Sequence, residues 1–244
     1  MKPGIHGLSF GADHPLDGDI LVAAVHRFAY LDIAAAKLQQ YLEQPDYDIR
    51  DLTRLFLRTQ PGAVDGLDAV SLDGNGGDAL LERAQALFKE ARRLGASVVI
   101  ARVTANAVDD SSATATSASL ADLAGKWSVR LALAPAFRED GPVSYGGLIS
   151  LVERLDHPSL GLLLDAVLLA RADMLEQPFA LQGKSVAHVH VADAGRDGSG
   201  PRLLPGAGVL PLAALLRHLA ATGYEGIVSV ALDGPPAEMD AGEL

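Results

Sequence analysis

The stretch Val186-Ala-His-Val-His-Val-Ala-Asp193 reads as a short β-strand that runs out into a polar end. Its valines favour extended structure. Side chains alternate along a strand, so His188 and His190 share one side, with His188 one layer deeper. Apart from those two residues the run is apolar on both faces, the pattern of a strand covered on both sides in a parallel sheet. Counting this one as 187–191, similar runs recur at 5–10, 30–33, 68–72, 97–103, 129–134, 161–165 and 226–232. Their starts lie about 32 residues apart on average, the length of one βα unit and far more than a hairpin needs.

The segments between the runs carry helical stripes. Leu80, Ala84, Leu87, Phe88 and Ala91 repeat at helical spacing, with Asp78 placed to cap the start and Gly95 the end. Leu212, Leu215, Leu216 and Leu219 form a second stripe, closed by Gly223. Eight strands alternating with helices, without a composition break, predict an α/β fold, a (β/α)₈ TIM barrel in a single domain spanning 1–244. An open doubly wound sheet is the alternative arrangement of the same elements.

Of the 244 residues, 49% are hydrophobic and 21% charged, enough apolar mass for a large core and too much for a disordered chain. Lys and Arg total 20 against 31 Asp and Glu, a net charge of −11 that repels nucleic acid and anionic membrane surfaces. The absence of cysteine removes disulfides, thiolate metal sites and cysteine nucleophiles together. No uncharged apolar run approaches the roughly 18 residues of a membrane span, and the N-terminus has no signal-like apolar core. These features predict a cytoplasmic protein with neither nucleic acid nor membrane as partner. Residues 104–119, almost wholly Ala, Ser, Thr, Asn and Asp, follow the fourth run and read as a surface loop leading into a weak helix, or as a lid over the mouth of a barrel.

Six segments, four in the second half of the chain and two in the first, carry a resemblance. Gly161-Leu-Leu-Leu-Asp165, then 186–193, then Arg202-Leu-Leu-Pro-Gly-Ala-Gly208, then 223–231, resemble the second half of the xylose isomerase-like TIM barrels, the sugar phosphate isomerases and epimerases. Relatives of that family include inosose dehydratases, tagatose-type 3-epimerases and the family-2 AP endonucleases. The first half is similar more weakly, through Phe28-Ala-Tyr-Leu-Asp-Ile33 and 91–99. The resemblance implies a divalent metal held by two glutamates, an aspartate and a histidine at the ends of strands five, eight, six and seven. Carried over position by position, the aspartate is Asp165 and the histidine His190, but the glutamates are Ala134 and Ala231. The second-strand glutamate has become Asp32, and Leu168 stands where a histidine is common.

A methyl group offers neither lone pair nor charge, so the resemblance predicts a degenerate metal site with Asp165 and His190 as its remnant ligands. No cofactor is expected, while weak binding of Mn²⁺, Mg²⁺ or Zn²⁺ stays open. The candidate catalytic residues are His190, Asp165 and His188. His190 and Asp165 face inward at matched depth, as a pair that would raise the His190 pKa and work as an acid–base couple near neutral pH. His188 joins them or else is a hydrogen-bonded core histidine. Candidate substrate-binding residues are Arg202, an anion or hydroxyl clamp; Lys37, at the mouth after the second strand or else an exposed helix lysine; and Asp233, a displaced carboxylate or else a solvated strand end. The Gly-rich segment 73–77 lacks any phosphate-binding spacing, and His6, His14, His26, His157 and Trp127 form no pattern. The expected function is isomerase- or epimerase-like action on a sugar, polyol or hydroxy-carbonyl compound, with dehydratase or lyase chemistry close behind. The alternative is a non-catalytic barrel that binds a ligand or a partner, and self-association as a homo-oligomer is compatible with either.

Overall fold

Eight strands, β1 (Lys2–His6), β2 (Tyr30–Ala34), β3 (Gln60–Val70), β4 (Val98–Val103), β5 (Arg130–Pro135), β6 (Leu160–Asp165), β7 (Val186–Val191) and β8 (Ile227–Val230), pair in parallel in sequence order. They close into a barrel where β8 meets β1. The structure, a computed structural model, describes residues 1–56, 58–70, 72, 77–103, 111–136, 145–175 and 183–235. The closed sheet is the (β/α)₈ barrel that the strand spacing predicts, and the open sheet is not what forms. Closure leaves no strand edge unpaired.

Among the described residues the helices are α1 (Leu16–Val25), α2 (Ala35–Leu42), α3 (Ile49–Leu55), α4 (Gly77–Leu94), α5 (Ser111–Lys126), α6 (Tyr145–Leu155), α7 (Ala166–Arg171) and α8 (Leu212–Ala221). In α4 the stripe Leu80, Ala84, Phe88, Ala91 is buried, with Leu94 added and Leu87 half-buried. Gly95 (φ +89°) ends it in the left-handed region that favours glycine. Residues 111–119 of the Ala/Ser/Thr-rich stretch form the first part of α5, which buries Ala113, Ser117 and Leu120; 104–110, and 73–76 of the Gly-rich segment, lie outside the described residues.

Two strand boundaries differ from the sequence reading. β1 stops at His6, and Gly7–Phe10 is a 3₁₀ turn. β3 begins at Gln60, eight residues before the apolar run that signalled it, because its first half holds Pro61 and Gly62, residues of low strand propensity. Gly62 is there for space: a Cβ on it would lie 2.5 Å from Asp32 Oδ1. At the opposite, N-terminal end of the barrel Arg130 donates to the Leu160, Val186 and Lys184 carbonyls at the starts of β6 and β7. That face is built for stability, which leaves the C-terminal mouth for chemistry.

Candidate functional site

The C-terminal mouth opens into a cavity of about 960 Å³. At its floor is His190, level with Asp165 on β6 and Ser229 on β8 in the sheet register. Its Nε2 lies 3.3 Å from Asp32 Oδ2, and the same oxygen is 2.7 Å from His188 Nε2. β2 and β7 are not sheet neighbours, so these bonds cross the barrel interior. All three side chains are buried. Burial raises the Asp32 pKa, but the two imidazoles outweigh it and hold this carboxyl well below the usual range. A carboxylate only accepts, so each histidine carries its proton on Nε2. That tautomer leaves His190 Nδ1 as a lone pair, 4.0 Å from Asp165 Oδ2. Burial, with the neighbouring His6 and His188 adding to it, pushes the His190 pKa down to about 4 against the pull of Asp32. The ring is neutral at pH 7.

Asp165 ends β6 and caps α7, its Oδ1 accepting from the Val167 and Leu168 backbone N–H groups at 3.1 Å. Its own N–H donates to the Tyr145 hydroxyl, which donates in turn to the Leu163 carbonyl. Oδ2 takes the Arg202 guanidinium at 2.8 Å. Burial raises the Asp165 pKa, while Arg202 and His190 pull harder and leave it below the ordinary value. Arg202 also donates from Nη1 to the Ala231 carbonyl (3.3 Å), and its Nε lies 3.3 Å from Asp233 Oδ1. Three of the sequence candidates, His190, Asp165 and Arg202, are therefore brought together in the cavity wall, with the exposed Asp233 at the rim.

The other two candidates do not line the cavity. His188 lies below the floor, bonded to Asp32 and edge-on to the His190 ring with the ring centres 5.2 Å apart. Lys37 is neither an exposed helix lysine nor a group at the mouth: it is 3% exposed, bonded to Asp19 Oδ2 (2.8 Å) and the Gly7 carbonyl (2.9 Å). The reason is that α2 starts at Ala35, directly after β2, and its first turn swings residue 37 towards α1.

A second cluster was not among the sequence candidates. Asp65 on β3 takes Arg102 Nη2 at 2.6 Å and His6 Nε2 at 3.2 Å on one oxygen, and all three side chains line the cavity. Burial works against ionisation of Asp65, but Arg102 first and His6 next hold it well below the carboxylate range. The available signal was Arg102 itself, a charge inside a run otherwise apolar on both faces.

Of the four ligand positions that the resemblance implies, Asp165 and His190 carry a donor atom and Ala134 and Ala231 do not. Ala134 is fully buried in an apolar cluster with Ile100 and Leu163 and is not part of the cavity wall; Ala231 faces the cavity with a methyl. Asp165 has its Oδ2 on a guanidinium, so a cation beside it would be repelled. Asp32, His188 and His190 do present three ligand atoms within 4.8 Å of one another. They could hold a divalent ion through Nε2 once the ring protons move to Nδ1. We expect Ala134→Glu with Ala231→Glu to leave Mn²⁺ binding weak, and addition of Arg202→Met to strengthen it at least tenfold in a calorimetric titration. Tight binding in the double variant would contradict this account of Arg202.

A family model described as xylose isomerase-like TIM barrel matches residues 4–243. Solved structures share the fold at low identity. The IOLI protein with a binding zinc atom superposes with a TM-score of 0.82 at 21% identity, covering 96% of this chain and 90% of that one. A xylose isomerase domain protein from Alicyclobacillus acidocaldarius gives 0.76 at 23%, covering 98% and 92%. D-Psicose 3-epimerase with D-tagatose, from Clostridium cellulolyticum H10, gives 0.70 at 18%, covering 95% and 85%. No curated protein matches the sequence.

Proposed function

The chain belongs to the xylose isomerase-like TIM barrel family, and from that premise we propose that it binds a sugar- or polyol-like hydroxy-carbonyl compound in the cavity and moves a proton at the carbon beside the carbonyl. The reaction class is isomerisation or epimerisation without the family's divalent metal. One observation carries the reading: His190 offers a neutral imidazole whose free Nδ1 lies beside Asp165, and Asp165 holds the Arg202 guanidinium against the same cavity. A base and a fixed cation thus stand side by side where a substrate enters.

The chemistry follows from those groups. His190 Nδ1 takes the α-proton; the C–H electron pair becomes the C=C of an enolate, and the carbonyl π pair moves onto oxygen. Arg202 N–H groups hold that oxygen as its charge develops. The imidazolium formed lies between Asp32 and Asp165, two carboxylates that stabilise it. Isomerisation returns the proton to the former carbonyl carbon while the hydroxyl on the deprotonated carbon passes its own proton to the enolate oxygen. Epimerisation protonates the deprotonated carbon on its opposite face from water, and the His190 proton leaves to solvent. D-Psicose 3-epimerase, solved with D-tagatose on the same fold, supports ketohexoses as the first compounds to try.

The test is solvent exchange. A panel of ketohexoses, inososes and sugar acids is incubated with the protein in D₂O containing a chelator, and deuterium beside the carbonyl is followed by NMR. Exchange that persists in chelator is expected for at least one member. Exchange that appears only with added metal would overturn the metal-independent reading, and saturable binding with no exchange would make the barrel a binding module instead.

A further inference from the structure

Asp193 follows β7 and is 2% exposed, yet it is not part of the cavity wall. Its carboxylate is wrapped by the loop that follows. Oδ1 accepts from the Ala194 N–H (3.0 Å) and the Leu210 N–H (2.9 Å), Oδ2 accepts from the Gly206 N–H (2.9 Å), and the Gly208 N–H adds to the set. Its backbone pairs with Leu203 in both directions at 2.8 Å, an isolated antiparallel bridge. The Val209 N–H closes the loop on the Ala194 carbonyl at 3.1 Å. A Cβ on Gly208 would overlap Asp193 Oδ1 and the Ala194 carbonyl, and Gly206 has φ +93°. The Pro205-Gly206-Ala207-Gly208 turn therefore has the residues it needs to close over a carboxylate.

Arg202 immediately precedes Leu203, the residue whose N–H and C=O are both held by Asp193. The root of the arginine is fixed by that bridge, and its tip reaches Asp165 and the Ala231 carbonyl. We propose that Asp193 is a positioning residue: it sets the Arg202 guanidinium in the cavity through the backbone of the 194–210 loop, without touching the substrate. The chemistry requires a carboxylate. Both oxygens face N–H groups, and an amide would replace one acceptor with an NH₂ aimed at a donor, at nearly unchanged volume.

The test reads Arg202 directly and needs no substrate. A held guanidinium gives separate Nη–H resonances at low temperature, because its Cζ–Nη bonds turn slowly. The Arg202 set is identified by its loss in Arg202→Lys. In Asp193→Asn these resonances are expected to collapse to the averaged position of a free arginine, while the backbone amides of β1 to β6 stay in place. Unchanged Arg202 resonances in a folded Asp193→Asn protein would overturn the proposal. If that variant fails to fold, Gly208→Ala, which displaces the carboxylate sterically, is expected to give the same collapse, and unchanged resonances there would be equally fatal.

A second arm rests on the proposed function. With an exchanging substrate, Asp193→Asn lowers kcat/KM about tenfold, the order of one charge-assisted hydrogen bond, and has no further effect once Arg202 is Met. Additive losses would mark Asp193 as merely structural. A panel without a substrate leaves the resonance result standing, so the two ideas fail separately.

Discussion

Replacing His190 with Asn is expected to cut α-proton exchange by about 10²- to 10⁴-fold, the span that general acid–base catalysis contributes, with the barrel still folded. Asparagine retains a polar group near Asp32 but has no lone pair basic enough to take a proton from carbon. The pH dependence is a second signature. The groups facing the ring are His6 on β1, Asp32 on β2, Asp165 on β6, His188 on β7 and the Arg202 guanidinium behind Asp165. Burial dominates their sum and lowers the His190 pKa from 6.5 to about 4. A base must be unprotonated, and a lowered pKa keeps it so at every pH above about 4. The rate therefore holds as pH falls through 6.5 and is lost as pH falls through about 4. A weak base removes a proton slowly unless the carbon acid is itself acidified. That is the work assigned to Arg202, so Arg202→Met slows the reaction in the same direction without moving the acid limb. A rate in His190→Asn within threefold of the native one, or a native limb near 6.5, would remove His190 from the reaction.

How much of this was legible in the sequence depends on what a pattern encodes. Strand parity and a spacing of one βα unit specify which side chains point inward and at which end, so Asp165 and His190, each at an inward strand-end position, fall at matched depth. Arg202 joins them because it stands at a recognisable Pro-Gly turn. Parity does not specify what lies across the barrel. Asp32 meets His188 over 156 residues of sequence, and no local signal carries that. Asp65 was lost for a different reason: Pro61 and Gly62 hid the first half of β3, which put the strand's apparent start after the residue that matters. Lys37 shows the converse, a charge that looks exposed on a helix and is instead bonded to the buried Asp19.

The largest loss of stability is expected at Asp32. Asp32→Ala removes the one acceptor shared by two buried imidazole N–H groups, His188 at 2.7 Å and His190 at 3.3 Å. His190 then loses its acceptor and His188 keeps only the Ser229 hydroxyl at 3.4 Å. At about 1–3 kcal/mol for each donor, with a small void added, the total is about 3–5 kcal/mol. Asp32→Asn should cost far less, about 1–2 kcal/mol. One amide oxygen in the place of Oδ2 still accepts both N–H groups, and its NH₂ takes the place of Oδ1, which has no partner among the described residues and lies against Gly62. Urea unfolding separates the two, since a drop in midpoint at constant slope reports stability alone. The same pair tests the tautomer. Without a carboxylate on Nε2, the His190 proton is free to sit on Nδ1, so Asp32→Ala should lose exchange activity even in the fraction that remains folded, whereas Asp32→Asn keeps much of it. Equal stability of the two variants would mean that Asp32 is not the acceptor holding both rings. Equal activity in folded protein would mean that the histidine needs no carboxylate behind it, and the direction of its lone pair would then have to be set from the cavity side.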